Sequence, residues 1–168
     1  MWIKCRRYRH GRFHERGTSP AYGHTAAIST TFVASTQVKV LFFGSVGFGR
    51  VGTPDVTADG VLQVASLADL MATKLKVILQ RAEAKDYRDI AAMLSDGASL
   101  SFGLASARQI FGPNFQPSEC LKALTYFNDG DLSSLGADEK LTLVDASHAV
   151  RELPVVEIRS GVLVLQAC

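Results

Sequence analysis

The stretch from Ser66 to Leu94 constrains the fold most, because it contains neither glycine nor proline and repeats its apolar residues at helical spacing. At about 100° per residue, one stripe is apolar and consists of Leu67, Leu70, Met71, Leu75 and Ile78. The opposite face is polar and consists of Asp69, Thr73, Lys76, Gln80 and Glu83. Ser66 and Asp69 have the spacing of a capping box, with Asp in place of the usual Glu. We therefore predict that a helix begins at Ser66 and packs through its apolar stripe.

Two charged residues interrupt this stripe. Lys74 and Arg81 are seven residues apart, so they lie two helical turns apart on the same face. A charge on a buried face is costly unless it is paired or faces a cavity. One interpretation is that both long side chains reach solvent at the edge of the stripe. The other is that this face borders a polar cleft, in which Lys85, Asp86 and Asp89 supply further charges.

A strand hairpin is predicted upstream of this stretch. The residues Ala27 to Ala34 and Gln37 to Phe43 are rich in β-branched and aromatic side chains, which favours two strands. Ser35 and Thr36 are the predicted turn between them. The change from period two to period 3.6 near Ser66 predicts an α+β fold, in which a small and mostly antiparallel sheet packs against a C-terminal helical body.

Residues 44–65 are rich in glycine and are predicted to be a loop. They contain G-x-G-x-x-G at Gly47, Gly49 and Gly52. A dinucleotide-binding motif needs a helix to begin there, so that its N-terminus can hold the pyrophosphate. Because Thr53-Pro54 and Asp59-Gly60 interrupt the sequence instead, we favour a connecting loop.

Three more helices are predicted after the central stretch, over Ser99 to Phe111, Pro117 to Phe127 and Ala137 to Arg151. In the last, Leu141, Val144 and His148 are predicted to share the buried stripe. The turn from Asn128 to Asp131 carries carboxylates, but it lacks the alternating order of a calcium loop, so it is interpreted as a helix stop.

Several of these motifs resemble a known family. They are V-A-S-L-x-D-L-x-A-x-K-L from Val64 to Leu75, Q-R-x3-K-D-x2-D-I from Gln80 to Ile90, and L-T-Y-F-N-D-G-D-L from Leu124 to Leu132. In this order they resemble the nucleotidyltransferase-like proteins of the AbiEii/AbiGii toxin type. The resemblance extends from about Val38 to about Arg151. It implies a nucleotidyltransferase-like fold and a role as the toxin of a toxin–antitoxin pair.

The resemblance also implies a site. Lys74 and Asp89 correspond to the catalytic Lys and Asp of the family, with Arg81, Lys85 and Asp86 as nucleotide-binding residues. Lys74 would contact the phosphates as a point charge, and Asp89 would orient Lys74 or the acceptor. We expect the Lys74 ammonium and the Asp89 carboxylate to converge in a groove near the edge of the Val38–Phe43 strand, with Arg81 close by.

Complete members of this family also hold Mg²⁺ and a nucleoside triphosphate, through a Gly-Ser motif and a D-x-D pair upstream of the hairpin. Before Val38 this chain has a single acid, Glu15. Gly44-Ser45 is similar to the first half of the motif, but Asp55 and Asp59 are four residues apart. We therefore expect a truncated protein with no metal site and no bound cofactor, which is inactive alone.

The N-terminal residues differ in charge from the rest. Residues 1–20 carry six Lys or Arg and one Glu, although the net charge of the chain is only +2. We divide the chain into a basic irregular arm (1–26), a truncated nucleotidyltransferase-like domain (27–153: strands 27–43, loop 44–65, helices 66–151) and a tail (154–168). The alternative functions are a protein-interaction module and an RNA or other nucleic-acid binder that uses the arm.

The expected partners are an antitoxin or another protein, and RNA. No apolar run is long enough to span a membrane. Cys5, Cys120 and Cys168 are scattered and odd in number, which fits a reducing compartment, so a cytoplasmic location is expected.

Overall fold

Five helices form the body of the protein in the computed structural model, which describes residues 3–5, 26–33, 36–43, 48–60 and 62–161. The helices are α1 (Leu67–Ile78), α2 (Ala84–Ser95), α3 (Leu100–Phe111), α4 (Pro117–Thr125) and α5 (Ala137–Ala149). Short 3₁₀ turns cover Gly112–Asn114 and Leu132–Ser134. None of the helices in these residues is long and apolar enough to cross a membrane. The α+β class is confirmed, with a helical body and an antiparallel hairpin.

The predicted hairpin is present. β2 (Ala26–Val33) and β3 (Thr36–Phe43) pair antiparallel, from Ala26 opposite Phe43 to Val33 opposite Thr36. Thr36 therefore belongs to the strand and not to the turn. The extensive contacts described for this hairpin are those between its own two strands, so its packing against the helices stays a prediction.

A second sheet lies where a loop was predicted. β4 (Asp55–Val56) and β5 (Leu62–Val64) pair antiparallel, and β1 (Ile3–Cys5) pairs with the other edge of β5. The prediction of a continuous loop over 44–65 was therefore wrong in this part. Strands of two or three residues are too short to show a period-two pattern in the sequence.

The helical core forms along the apolar stripe of α1. Met71, Leu75 and Ile78 are buried, while Leu67 at the start of the helix is 47% exposed. α1 packs closely on α3 at Gly103, where an added Cβ would lie 2.4 Å from Cγ of Met71. The completely buried part of the core also contains Tyr87, Ile90, Leu104, Phe115, Leu124, Leu132 and Leu143.

Predicted helix limits agree with the structure to within two residues for α3, α4 and α5, and Ser99 caps α3 by accepting from the Phe102 N–H. The predicted stripe of α5 was wrong. Leu141 is 58% exposed, and the helix buries Leu143 and Ser147 instead.

Asp69 was predicted on the polar, solvent-exposed face of α1. This was wrong, because Asp69 is only 3% exposed. Its carboxylate accepts from the backbone N–H groups of Val51 (2.7 Å) and Gly52 (3.2 Å) and from the Ser66 hydroxyl (2.6 Å). Ser66 caps α1 as predicted, accepting from the Asp69 N–H. The carboxylate of this capping pair therefore ties α1 to a distant loop.

Gly49 and Gly52, the two glycines of the G-x-G-x-x-G motif that lie within the described residues, allow close approach of protein segments. An added Cβ on Gly52 would lie 1.9 Å from the Ser66 Oγ, and one on Gly49 would lie 2.5 Å from the Ser160 carbonyl oxygen. Arg50 pairs antiparallel with Ser160, which anchors the segment after α5 beside this loop. Since the Val51 and Gly52 N–H groups bind Asp69, they are not free to bind a phosphate.

Candidate active site

The site forms where the chain turns from α1 into α2. α1 ends at Ile78, and its last turn is closed by the N–H groups of Gln80 and Arg81, which both donate to the Val77 carbonyl oxygen. α2 begins at Ala84 and packs against α1. This reversal brings the predicted residues of both helices to one place.

Asp86 lies at the centre of the site and is only 1% exposed. Its Oδ1 accepts from Nζ of Lys74 at 2.8 Å. Its Oδ2 accepts from Arg81 twice, from Nε at 3.0 Å and from Nη2 at 2.9 Å. A single buried carboxylate therefore holds one cation from α1 and one from the turn.

Lys74 also forms an ion pair with Oδ2 of Asp89, so its ammonium lies between two carboxylates of α2. The Lys74 side chain is 19% exposed, whereas Asp89 is 54% exposed. The predicted convergence of Lys74 and Asp89, with Arg81 close by, is confirmed. The described contacts of Lys74 join it to α2, and its predicted position beside β3 stays a prediction.

The outer part of the site is more exposed. Glu83 accepts from Nζ of Lys85 at 2.5 Å and lies 3.6 Å from Nη1 of Arg81. Such exposed pairs are screened by water and salt, so each is worth at most about 1 kcal/mol. Three cations and three carboxylates balance one another across the whole cluster, namely Lys74, Arg81 and Lys85 with Glu83, Asp86 and Asp89.

The environment stabilises the charged form of both central groups. Burial opposes the charge on Lys74, but its hydrogen bonds to Asp86 and Asp89 outweigh burial and raise the pKa of Lys74 above its ordinary value. Burial alone would raise the pKa of Asp86, but the hydrogen bond and charge of Lys74, followed by those of Arg81, lower that pKa below its ordinary value. Both groups are therefore charged at neutral pH.

The burial and ion pairs of Asp86 favour a supporting role over direct contact with a nucleotide. Direct binding of a nucleotide by this carboxylate does not fit, because it is 1% exposed and both oxygens are engaged by cations. Asp86 shares the buried face of α2 with Ile90 and Met93, at spacings of four and seven residues. A helical projection that starts at Ala84 would have placed Asp86 inward and Asp89 outward.

The described residues offer no ready-made cluster of metal ligands. They contain no group of three or more His, Cys, Asp or Glu that could hold a metal ion. The carboxylates nearest Lys74 are already paired with cations, which compete with a metal for the same oxygens.

Asp86 and Asp89 should contribute very differently to stability. We expect Asp86→Ala to lower the free energy of unfolding by about 2–3 kcal/mol, because it leaves two partly desolvated cations without their shared acceptor. Asp89→Ala removes an exposed partner and should cost about 0–1 kcal/mol. Urea unfolding of both variants measures the difference, and equal losses would contradict the central position of Asp86.

The contribution of Asp86 should depend on acid pH. Because its pKa is lowered in the folded state, its stabilisation is complete above the ordinary carboxyl pKa of about 3.9 and is lost as pH falls through the lower, folded pKa. The stability difference between the wild type and Asp86→Asn should therefore be constant near neutrality and shrink below that ordinary value. A difference that stays constant throughout the acid range would contradict this assignment.

Comparison with known proteins bears on the whole cluster. Residues 36–134 match the family described as nucleotidyl transferase AbiEii toxin, Type IV TA system. The match covers more than half of the chain, from the first residue of β3 to the 3₁₀ turn at Leu132–Ser134, and includes all five predicted site residues. No curated protein and no solved structure matches the chain. The chain belongs to the AbiEii nucleotidyl transferase toxin family.

Proposed function

We propose that this chain binds the phosphates of a nucleoside triphosphate through Lys74 and Arg81, and that it does not transfer the nucleotidyl group by itself. The observation that carries this proposal is the pairing of both cations with the buried carboxylate of Asp86. Asp86 binds the Lys74 and Arg81 side chains from the buried side of the site, and both side chains keep part of their surface exposed to solvent. A fixed cation at a surface can stabilise phosphate charge without first being reorganised.

Each residue has a distinct role in this proposal. Lys74 acts as a point charge on the phosphates, and Arg81 offers its planar N–H groups beside it. Lys85 adds exposed positive charge at the rim, where its side chain is 65% exposed. Asp89 orients the Lys74 ammonium or the acceptor hydroxyl, and Asp86 holds both central cations in place.

The ion pairs predict which contacts a triphosphate would replace. Because the cluster is balanced in charge, a triphosphate competes with carboxylates for the cations. Asp89 and Glu83 are the exposed partners and can move aside, whereas buried Asp86 remains. Binding is therefore weaker than for unpaired cations, and Asp89→Asn should strengthen it by removing a competing charge.

We infer the absence of nucleotidyl transfer from the small number of acidic residues that could hold Mg²⁺. Mg²⁺ aligns the triphosphate with the attacking hydroxyl when carboxylates hold it. The sequence before Val38 contains only Glu15 as an acid, and the described residues contain no group of three or more metal-ligating side chains. The family's toxin–antitoxin description supports an antitoxin as partner, and the basic residues of the N-terminal arm support RNA as a second partner.

Triphosphate binding should depend on Lys74 and not on its neighbour Lys76. Both lie on α1, but Lys76 donates to the Asn114 carbonyl oxygen outside the cluster, which makes Lys76→Met a matched control. By calorimetry with each of the four nucleoside triphosphates, we expect Lys74→Met to weaken binding about tenfold, the loss of one charge-assisted hydrogen bond. Lys76→Met should bind like the wild type. No binding by the wild type, or equal losses in both variants, would contradict the site.

The second half of the proposal is tested separately. Purified chain is incubated with each labelled nucleoside triphosphate, Mg²⁺ or Mn²⁺ and a mixed tRNA pool, and no label should reach the RNA. Transfer by the wild type that disappears in Lys74→Ala would show that the chain is a complete enzyme.

A further inference from the structure

α2 lacks a cap from its own sequence. Glu83 occupies the N-cap position of α2 but makes no side-chain capping hydrogen bond. The Ala84 N–H instead donates to Oδ1 of Asp131 at 2.6 Å, from a residue 47 positions later in the chain. A carboxylate is well suited to this place, because the N-terminus of a helix carries partial positive charge.

Gly130 lets this carboxylate come close enough. Its φ of 53° lies in the left-handed region, and an added Cβ would lie 2.0 Å from the carbonyl oxygen of Ala82. A residue with a side chain would therefore be strained here and would also push the turn away from the start of α2. We call residues 129–135 the capping turn.

The capping turn also holds α2 one turn further along. Nη2 of Arg88 donates to the carbonyl oxygen of Ser134 at 2.8 Å and to its hydroxyl at 3.2 Å. The turn is itself anchored, because Leu132 and Leu135 are buried in the core. The capping turn therefore binds the first two turns of α2, and its buried leucines anchor it in the core.

We propose that Asp131 is a positioning residue, which caps α2 and so fixes Asp86, and through Asp86 the Lys74 ammonium and the Arg81 guanidinium. Asp86 lies two residues after the capped Ala84, so any loosening of this helix end displaces its two oxygens directly. The predicted effect on triphosphate binding rests on the function proposed above. The predicted effect on the environment of the Lys74 ammonium does not depend on that function.

The test compares three full-length variants. Asp131→Ala removes the cap, and Asp131→Asn keeps a side-chain oxygen that can accept from Ala84. Asp129→Ala is the matched control, because it removes a carboxylate of the same turn that acts on Tyr87 through its charge and does not bind the Ala84 N–H. If Asp131→Ala does not fold, Asp131→Glu replaces it, since its longer side chain displaces the oxygen.

The first readout is the NMR signal of the Lys74 ammonium, assigned by its loss in Lys74→Arg. In Asp131→Ala we expect the signal to move towards that of a solvated lysine and to exchange faster with water. In Asp131→Asn and Asp129→Ala it should stay at the wild-type position. The second readout is triphosphate affinity, which should fall by up to about fivefold in Asp131→Ala and recover in Asp131→Asn, because the stabilisation by a typical N-cap sets the upper limit of its effect on binding.

The outcomes separate the two proposals. A wild type that binds no triphosphate, but whose Lys74 signal moves in Asp131→Ala and returns in Asp131→Asn, supports the positioning role and refutes the proposed function. A folded Asp131→Ala with a lower unfolding midpoint, an unchanged Lys74 signal and an unchanged affinity overturns the positioning role, because Asp131 is then only a structural cap. An equal effect of Asp129→Ala also overturns it.

Discussion

One buried carboxylate and the two cations paired with it link α1, the turn after it and α2. Asp86 is removed from water, so its charge must be met by Lys74 and Arg81, which come from α1 and from the turn after it. Burial of ions is costly, and a buried ion pair is weak evidence for net stability. Loss of one partner is nevertheless expensive, because the remaining charge stays uncompensated. The cluster therefore favours one packing of α1 against α2 over alternatives in which these charges do not meet.

Two further carboxylates connect distant parts of the chain in a related way. Asp69 at the start of α1 accepts from the backbone of Val51 and Gly52, and Asp131 accepts from the backbone at the start of α2. In both cases a side chain from one segment satisfies N–H groups that a loop or a helix end leaves without a regular partner. Together these contacts fix both ends of the helix pair that carries the candidate site. Glycines at 52 and 130 permit the necessary close approach.

The sequence allowed the helix that begins after Ser66, the β2–β3 hairpin and the meeting of Lys74 with Asp89 to be predicted. Each depends on periodicity or on motifs that are continuous in the chain. The predicted position of Arg81 on the face of that helix was wrong, because α1 ends at Ile78 and residues 79–83 form a turn before α2. The inward positions of Asp69 and Asp86 could not be predicted in the same way. A helical projection shows which residues share a face, but it does not show that a loop 18 residues away in sequence covers Asp69. The inward position of Asp86 follows from such a projection only if α2 is known to begin at Ala84. The short strands β4 and β5 had no pattern long enough to detect.

A double-mutant cycle tests the interaction between Lys74 and Asp86 most directly. Unfolding free energies are measured for Lys74→Met, Asp86→Asn and the double variant, and a second cycle pairs Lys74→Met with Asp89→Asn. The structure predicts a coupling of about 1–3 kcal/mol for Lys74 with Asp86, and below about 1 kcal/mol for Lys74 with the exposed Asp89. A coupling near zero between Lys74 and Asp86, or a larger one with Asp89, would contradict the account.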